Sequence, residues 1–295
     1  MEAKKVMSPL RSIYILGASG YLGAASAAYF RSKGYTVFDE RVDVSDLPAL
    51  RSAFTRTKPL TVLNLTGPAA NPTIDWCEDH KEETVKMLVA APVNVALAAL
   101  PCGAYPIQIS SGCIYSGGPE HEFTEEDAPN FFGSFYSRMR IISEQALREL
   151  PLLVARIRMP ISAIPHPRNF IAKIASYKKV ISIPNSVTLL EDLWPALESL
   201  IEKKVTGVVN MTNDGFLEHK AVLDAYKRIV DPAHTYELIS LLQLEGPGGI
   251  TKAKRSNCVL SVAKRKSLGI TMPALDKARL EALLREYKKH LTLPS

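Results

Sequence analysis

The sequence predicts an α/β protein built on a doubly wound parallel sheet, and three observations carry that prediction. Short apolar runs alternate with stretches of helical spacing from residue 12 to about 157. A glycine-rich turn, "GASGYLG" (17 to 23), joins the first run to the first helical stretch. The rhythm then breaks after Met159, where prolines at 160, 165, 167 and 184 mark a smaller, more irregular C-terminal region.

The elements follow in order. "SIYIL" (12 to 16) is an apolar strand ending at Gly17, "YLGAASAAYFRSKG" (21 to 34) has helical spacing and stops at Gly34, and "YTVF" (35 to 38) is apolar again, a β-α-β unit. A helix near 46 to 56, a strand "TVLNL" (61 to 65), a helix from about 76 to 100, a strand "YPIQIS" (105 to 110), a helix around 134 to 149 and a strand "LLVARI" (152 to 157) complete the series. Asp75 followed three residues later by Glu78 reads as a capping box for the third helix. The domain division expected from this pattern is a cofactor half, 12–160, and a substrate-binding region, 161–295, packed closely against it and interleaved with it.

Composition limits the function classes. With 295 residues, 46% hydrophobic and 22% charged, the chain can bury a full core. Its formal charge of +6 is spread over 36 Lys and Arg with no run longer than three, which argues against nucleic acid and suits a phosphorylated ligand. Cys77, Cys102, Cys113 and Cys258 form no C-x-x-C pair, so neither a zinc site nor a disulfide framework is expected; no metal is expected, and a reduced, cytoplasmic compartment is the simplest reading. No stretch of 18 apolar residues free of charge occurs and residues 1 to 11 lack a signal-peptide core, so neither a membrane span nor secretion is expected.

The glycines sit where a tight turn must bring backbone N–H groups to a pyrophosphate at the positive end of a helix, a Rossmann-like dinucleotide site. Gly17, Ser19, Gly20, Tyr21, Leu22 and Gly23 are its expected cofactor contacts, in the G-x-x-G-x-x-G spacing of short-chain dehydrogenases. Asp39, 22 residues past Gly17, is placed for the ribose hydroxyls of NAD, whereas Arg41 is placed for the 2′-phosphate of NADP. After the fourth strand, "SSGCIYS" (110 to 116) puts Ser110, Ser111 and Cys113 at the ligand crevice. Tyr136 and Arg140 in "YSRMR" share one helix face, where a fixed cation can lower a phenol's proton affinity for trade with a carbonyl.

Longer blocks add a resemblance. "DWCEDHKEET" (75 to 84), "SGCIY" (111 to 115), "FTEEDAPNFFGSFYS" (123 to 137), "RIRMPIS" (156 to 162), "HPRNFIAKI" (166 to 174), "SIPNSVTLLEDLWP" (182 to 195), "NMTNDG" (210 to 215) and "RSN" (255 to 257) resemble the extended short-chain dehydrogenases that make activated rhamnose. The resemblance is nearest to the nucleotide-rhamnose synthases, UDP-4-keto-6-deoxyglucose 3,5-epimerase/4-reductases, and more distant to the dTDP-4-dehydrorhamnose reductases. It implies Cys113 and Lys173 as the acid–base pair of epimerisation, and Tyr136, Ser111 and Arg140 around the carbonyl that is reduced by NADPH or, as the alternative, NADH. It implies Arg168, Asn169 and Arg255 as contacts to the diphosphate of a UDP- or dTDP-linked 4-keto-6-deoxyglucose, and it admits a homodimer. Three positions depart from the family pattern: Arg140 stands for a lysine, Leu88 for an asparagine and Asn71 for an arginine. These departures keep two other readings open, an enzyme with epimerase activity alone and a non-catalytic nucleotide-binding subunit resembling the β subunit of methionine adenosyltransferase.

Overall fold

The computed structural model describes residues 11–68 and 70–292. Six strands, β1 (Ser12–Leu16), β2 (Thr36–Phe38), β3 (Thr61–Asn64), β4 (Tyr105–Ser111), β5 (Leu153–Ile157) and β6 (Gly207–Asn210), form one sheet in the order β6-β5-β4-β3-β1-β2. Every pairing in it is parallel. The doubly wound α/β architecture expected from the alternation is therefore present. The central strands read as apolar runs because both faces are covered: every residue of β3, β4 and β5 is buried.

Helices α1 (Tyr21–Ser32) and α8 (Leu190–Glu202) cover one face, where Phe30, Leu193, Trp194 and Leu197 pack on Ile13, Ile15, Ile107 and Ala155. Helices α2 (Leu47–Thr57) and α5 (Ala91–Ala99) cover the other, with Leu50, Phe54, Val95 and Ala99 on Tyr14, Leu16 and Val62. The chain winds to opposite sides of β1 when it enters β2 and β3, so a crevice opens at the carboxyl ends of β1 and β3.

The helix expected over 76 to 100 is broken into pieces: α3 (Trp76–Asp79), α4 (Lys81–Val85), a π-helical turn Lys86–Ala90, α5, and a 3₁₀ turn Leu100–Cys102. Leu88 is fully buried inside the π turn. The capping box expected for Asp75 and Glu78 does not form. Asp75 has helical φ and ψ of −57° and −29° instead of the extended backbone of a cap, its carboxylate turns to Arg255 and Ala253, and Glu78 Oε1 accepts the Phe135 N–H at 2.6 Å. The stretch Lys81–Cys102 is long and apolar enough to cross a membrane, but Ala91, Val95, Ala98 and Ala99 in it are packed in the core beside α2.

The C-terminal part has a core of its own, in which Ile161, α7 (Phe170–Ala175), Val187, α9 (His219–Ile229) and the C-terminal helix Lys277–Thr292 meet through Ile171, Ile174, Val222, Leu223, Leu283 and Leu284. It also contributes α8 and β6 to the large sheet. A buried ion pair fixes the seam: Arg156 on β5 is held by both carboxylate oxygens of Glu144 on α6 (Phe135–Leu147), with Asn210 of β6 and the Tyr115 ring beside it.

Candidate active site

The glycine turn closes as its sequence requires. Gly17 has φ of +80°, and the Gly20 N–H donates to its carbonyl at 3.0 Å. Gly20 is the N-cap of α1 and has no side chain to satisfy the first-turn N–H groups. Gly23 is packed against the turn so closely that a Cβ on it would lie 2.1 Å from the Gly17 carbonyl oxygen. Ser19 is exposed and Leu22 half-buried. The Tyr21 ring is buried and stacked on His166 at 4.7 Å. At the end of β2, Asp39 is paired with Arg31 at 2.5 Å, and Arg41 is exposed.

Tyr136 and Arg140 lie on α6, which starts where Ser134 Oγ accepts the Ser137 N–H at 3.0 Å. Arg140 Nε donates to Tyr136 Oη at 3.1 Å, the guanidinium carbon sits 5.2 Å from the phenol ring centre, and Nη1 reaches the Ile109 carbonyl at 3.5 Å. The expected pair is thus in contact, with Arg140 buried at 8% exposure. Ser111, at the end of β4, accepts the Cys113 N–H on its Oγ at 3.2 Å.

Cys113 is half-buried and stands against a guanidinium that the sequence reading assigned no role. Arg158 Nη1 donates to Cys113 Sγ at 3.5 Å and to Ser256 Oγ at 3.1 Å, while Nη2 is taken by the Asn185 Oδ1 and, at 3.1 Å, by the Ser256 carbonyl. Burial alone would lower the proton affinity of Arg158, but it remains a cation. The other thiol, Cys258, is pushed up by burial and donates to the Gly112 carbonyl, so it stays protonated. Lys173 on α7 is held below the usual lysine range, first by burial, then by Arg168 and Arg255; Cys113 opposes the shift. Cys113, Arg168 and Arg255 therefore all bear on Lys173, and Tyr136 bears on Arg158.

Asn169, expected at the diphosphate, is placed in the fold itself. It is fully buried as the N-cap of α7, its Oδ1 accepting the Ile171 N–H at 3.1 Å and its amide donating to the Ser162 and Ile164 carbonyls at 2.8 and 2.9 Å. Every polar atom of that side chain is committed to holding the loop that carries Arg168 and Lys173. Two residues were missed by sequence reasoning. Arg158 lies 45 positions from Cys113, yet the pairing of Ser111 with Ile157 brings the two strand ends together. Asp75, read as a cap, instead receives both terminal nitrogens of Arg255 at 3.0 Å.

Residues 11–192 match the family described as the RmlD substrate binding domain. The bifunctional dTDP-4-dehydrorhamnose 3,5-epimerase/dTDP-4-dehydrorhamnose reductase of Arabidopsis thaliana is 32% identical over 283 residues, 93% of each chain. The crystal structure of the L780 UDP-rhamnose synthase from Acanthamoeba polyphaga mimivirus superposes with a TM-score of 0.87 at 30% identity, covering 94% of this chain and 99% of that one. A dTDP-4-dehydrorhamnose reductase from Bacillus anthracis in complex with NADP shares the fold at a TM-score of 0.80 and 16% identity, over 94% of this chain and 99% of that one.

Proposed function

Because the chain belongs to the family of the RmlD substrate binding domain, we propose that it is an NADPH-dependent sugar-nucleotide 3,5-epimerase/4-reductase that turns a nucleotide-linked 4-keto-6-deoxyhexose into the nucleotide-linked L-rhamnose. The observation that carries the proposal is the gathering of both sets of groups at the carboxyl end of β4: Ser111 accepts the Cys113 N–H at 3.2 Å and Arg158 touches the Cys113 sulfur at 3.5 Å, while Arg140, bonded to Tyr136 at 3.1 Å, reaches the Ile109 carbonyl of the same strand at 3.5 Å.

The substrate's ketone acidifies the protons on its carbons 3 and 5. Cys113, beside a fixed cation, takes such a proton from one face of the ring, and Lys173, kept from holding its own proton tightly by burial and two arginines, returns one from the other. Tyr136 then donates a proton to the carbonyl oxygen at carbon 4 while Ser111 hydrogen-bonds it, and the Arg140 contact at 3.1 Å orients the phenol. The Gly17–Gly20–Gly23 turn would hold NADPH, which would supply the hydride. Asp39 is already taken by Arg31, and Arg41 two residues on is exposed, which favours the 2′-phosphate of NADPH over the free ribose of NADH. In this reading 12–160 is the cofactor half and 161–295 the substrate half, with α8 and β6 crossing back into the first.

Incubation with UDP-4-keto-6-deoxyglucose in deuterated water, with and without NADPH, tests the proposal by NMR. Deuterium at carbons 3 and 5 together with NADPH-dependent UDP-rhamnose is expected. Exchange without reduction would restrict the chain to epimerisation, and absence of both with UDP- and dTDP-linked substrates would leave a nucleotide-binding protein without catalysis.

A further inference from the structure

Resting on the reading of the site as one for a nucleotide sugar, we infer that Asp75 is a positioning residue that orients Arg255 toward the substrate's diphosphate. The Asp75 carboxylate takes Nη1 and Nη2 of Arg255 at 3.0 Å each, and its Oδ1 also accepts the Ala253 N–H at 2.9 Å, so one carboxylate fixes both the side chain and the backbone of a segment 180 residues away. Two more acids tie the same segment down: Asp79 pairs with Lys252 at 2.6 Å, and Glu245 accepts the Arg255 N–H at 2.6 Å.

The planarity of guanidinium decides what is left over. Asp75 occupies the edge between the two terminal nitrogens, and the second Nη1 hydrogen goes to the Ala253 carbonyl at 2.7 Å. The remaining edge, Nε with Nη2, has two parallel N–H donors with no hydrogen-bond partner among the described residues. That fork matches a phosphate oxyanion bidentately. It belongs to a cationic neighbourhood, since Arg255 and Arg168 both act on Lys173. Burial would raise the Asp75 carboxyl, but the Arg255 and Ala253 donors outweigh it and keep the carboxylate charged.

UDP, dTDP and uridine are titrated calorimetrically into the wild type, Asp75→Asn, Arg255→Gln and the double variant, and steady-state kinetics are run beside them. Asp75→Asn should weaken UDP binding about tenfold, leave uridine unchanged and raise KM with kcat preserved, because a misaligned fork loses about one charge-assisted bond. In the Arg255→Gln background the same change should have no further effect. Equal weakening of UDP and uridine, or additive losses in the double variant, would mean a structural role and overturn the inference, as would unchanged UDP affinity. Should Asp75→Asn fail to fold, Arg255→Lys keeps the charge without the fork and must weaken UDP binding; wild-type affinity there overturns the inference. UDP bound through Arg255 without turnover of a 4-keto sugar would overturn the proposed function alone, and a wild type that binds neither UDP nor dTDP would overturn both.

Discussion

Replacing Gly23 by alanine should drive the glycine turn and helix α1 apart. The added Cβ would meet the Gly17 carbonyl oxygen at 2.1 Å, Ala18 Cα at 2.6 Å and the Gly17 carbonyl carbon at 2.7 Å. All three are backbone atoms, so no rotamer change relieves the clash. Ordinary contact begins at 3.4 Å, so the two must separate by roughly 1.3 Å (3.4 less 2.1). Overpacking of this kind costs about 1–3 kcal/mol, which for a chain of this size lowers Tm by roughly 2–10 °C. The turn's N–H groups move with it, and a displacement near 1 Å weakens a positioned contact by up to about a hundredfold. Thermal unfolding and quenching of NADPH fluorescence measure the two effects separately. Gly34→Ala is the control: its φ of +79° strains an alanine, but a Cβ there meets nothing within 4 Å, so it should lose stability and keep cofactor affinity. If Gly23→Ala retained both wild-type Tm and wild-type NADPH affinity, the packing argument and the assignment of this turn would fall together.

Three other outcomes are expected. Tyr136→Phe should reduce NADPH-dependent ketone reduction by about 10²–10⁴-fold while deuterium exchange at carbons 3 and 5 persists; loss of both would show that the phenol serves the epimerisation as well. Lys173→Met should abolish exchange yet raise stability at neutral pH: burial and the two arginines depress the folded-state proton affinity of Lys173, so the unfolded chain binds more protons and wild-type stability climbs with pH up to about 10.4, a slope that urea midpoints of the variant should lack. His219, half-buried and edge-on against Phe170, is pushed by desolvation and Arg158 to about 4 and should make stability fall as pH drops from about 6.5 to 4, by about 3 kcal/mol at the acid end; His219→Gln should flatten that limb, and an unchanged pH profile would contradict a neutral ring at this position.

Much of the fold was legible because strands covered on both faces are largely apolar, and β1, β3, β4 and β5 are such runs between helical stretches, with a few buried polar residues such as Arg156. The Gly17–Gly23 turn and the Tyr136–Arg140 contact were legible because their geometry is local. What could not be read depends on distant partners. Asp75 and Glu78 have capping-box spacing, and tertiary donors on Arg255, Ala253 and Phe135 claim both carboxylates. Asn169 lies in a block that also holds Arg168 and Lys173, and neither charge nor spacing reveals that its amide is spent on the loop backbone. Arg158 was recoverable in principle, since parallel pairing of β4 with β5 makes residues just past Ser111 and Ile157 neighbours.

Strand β6 governs the order in which the chain can be made safely. On the ribosome, β1 through β5 emerge first, and until residue 210 follows, the outer side of Leu153–Ile157 has its N–H and C=O groups unpaired. Such an open, apolar, parallel edge is a template for any second nascent chain. Asn210 closes more than the ladder: its N–H goes to Glu125 Oε1 at 2.8 Å, and its Oδ1 accepts from Arg156, so the inner polar seam also waits for it. A recombinant fragment cut at residue 192, where the family match stops, would carry the whole glycine turn and the Tyr136–Arg140 pair, yet it would bare both the β5 edge and the sheet face that α8 covers, and it should self-associate.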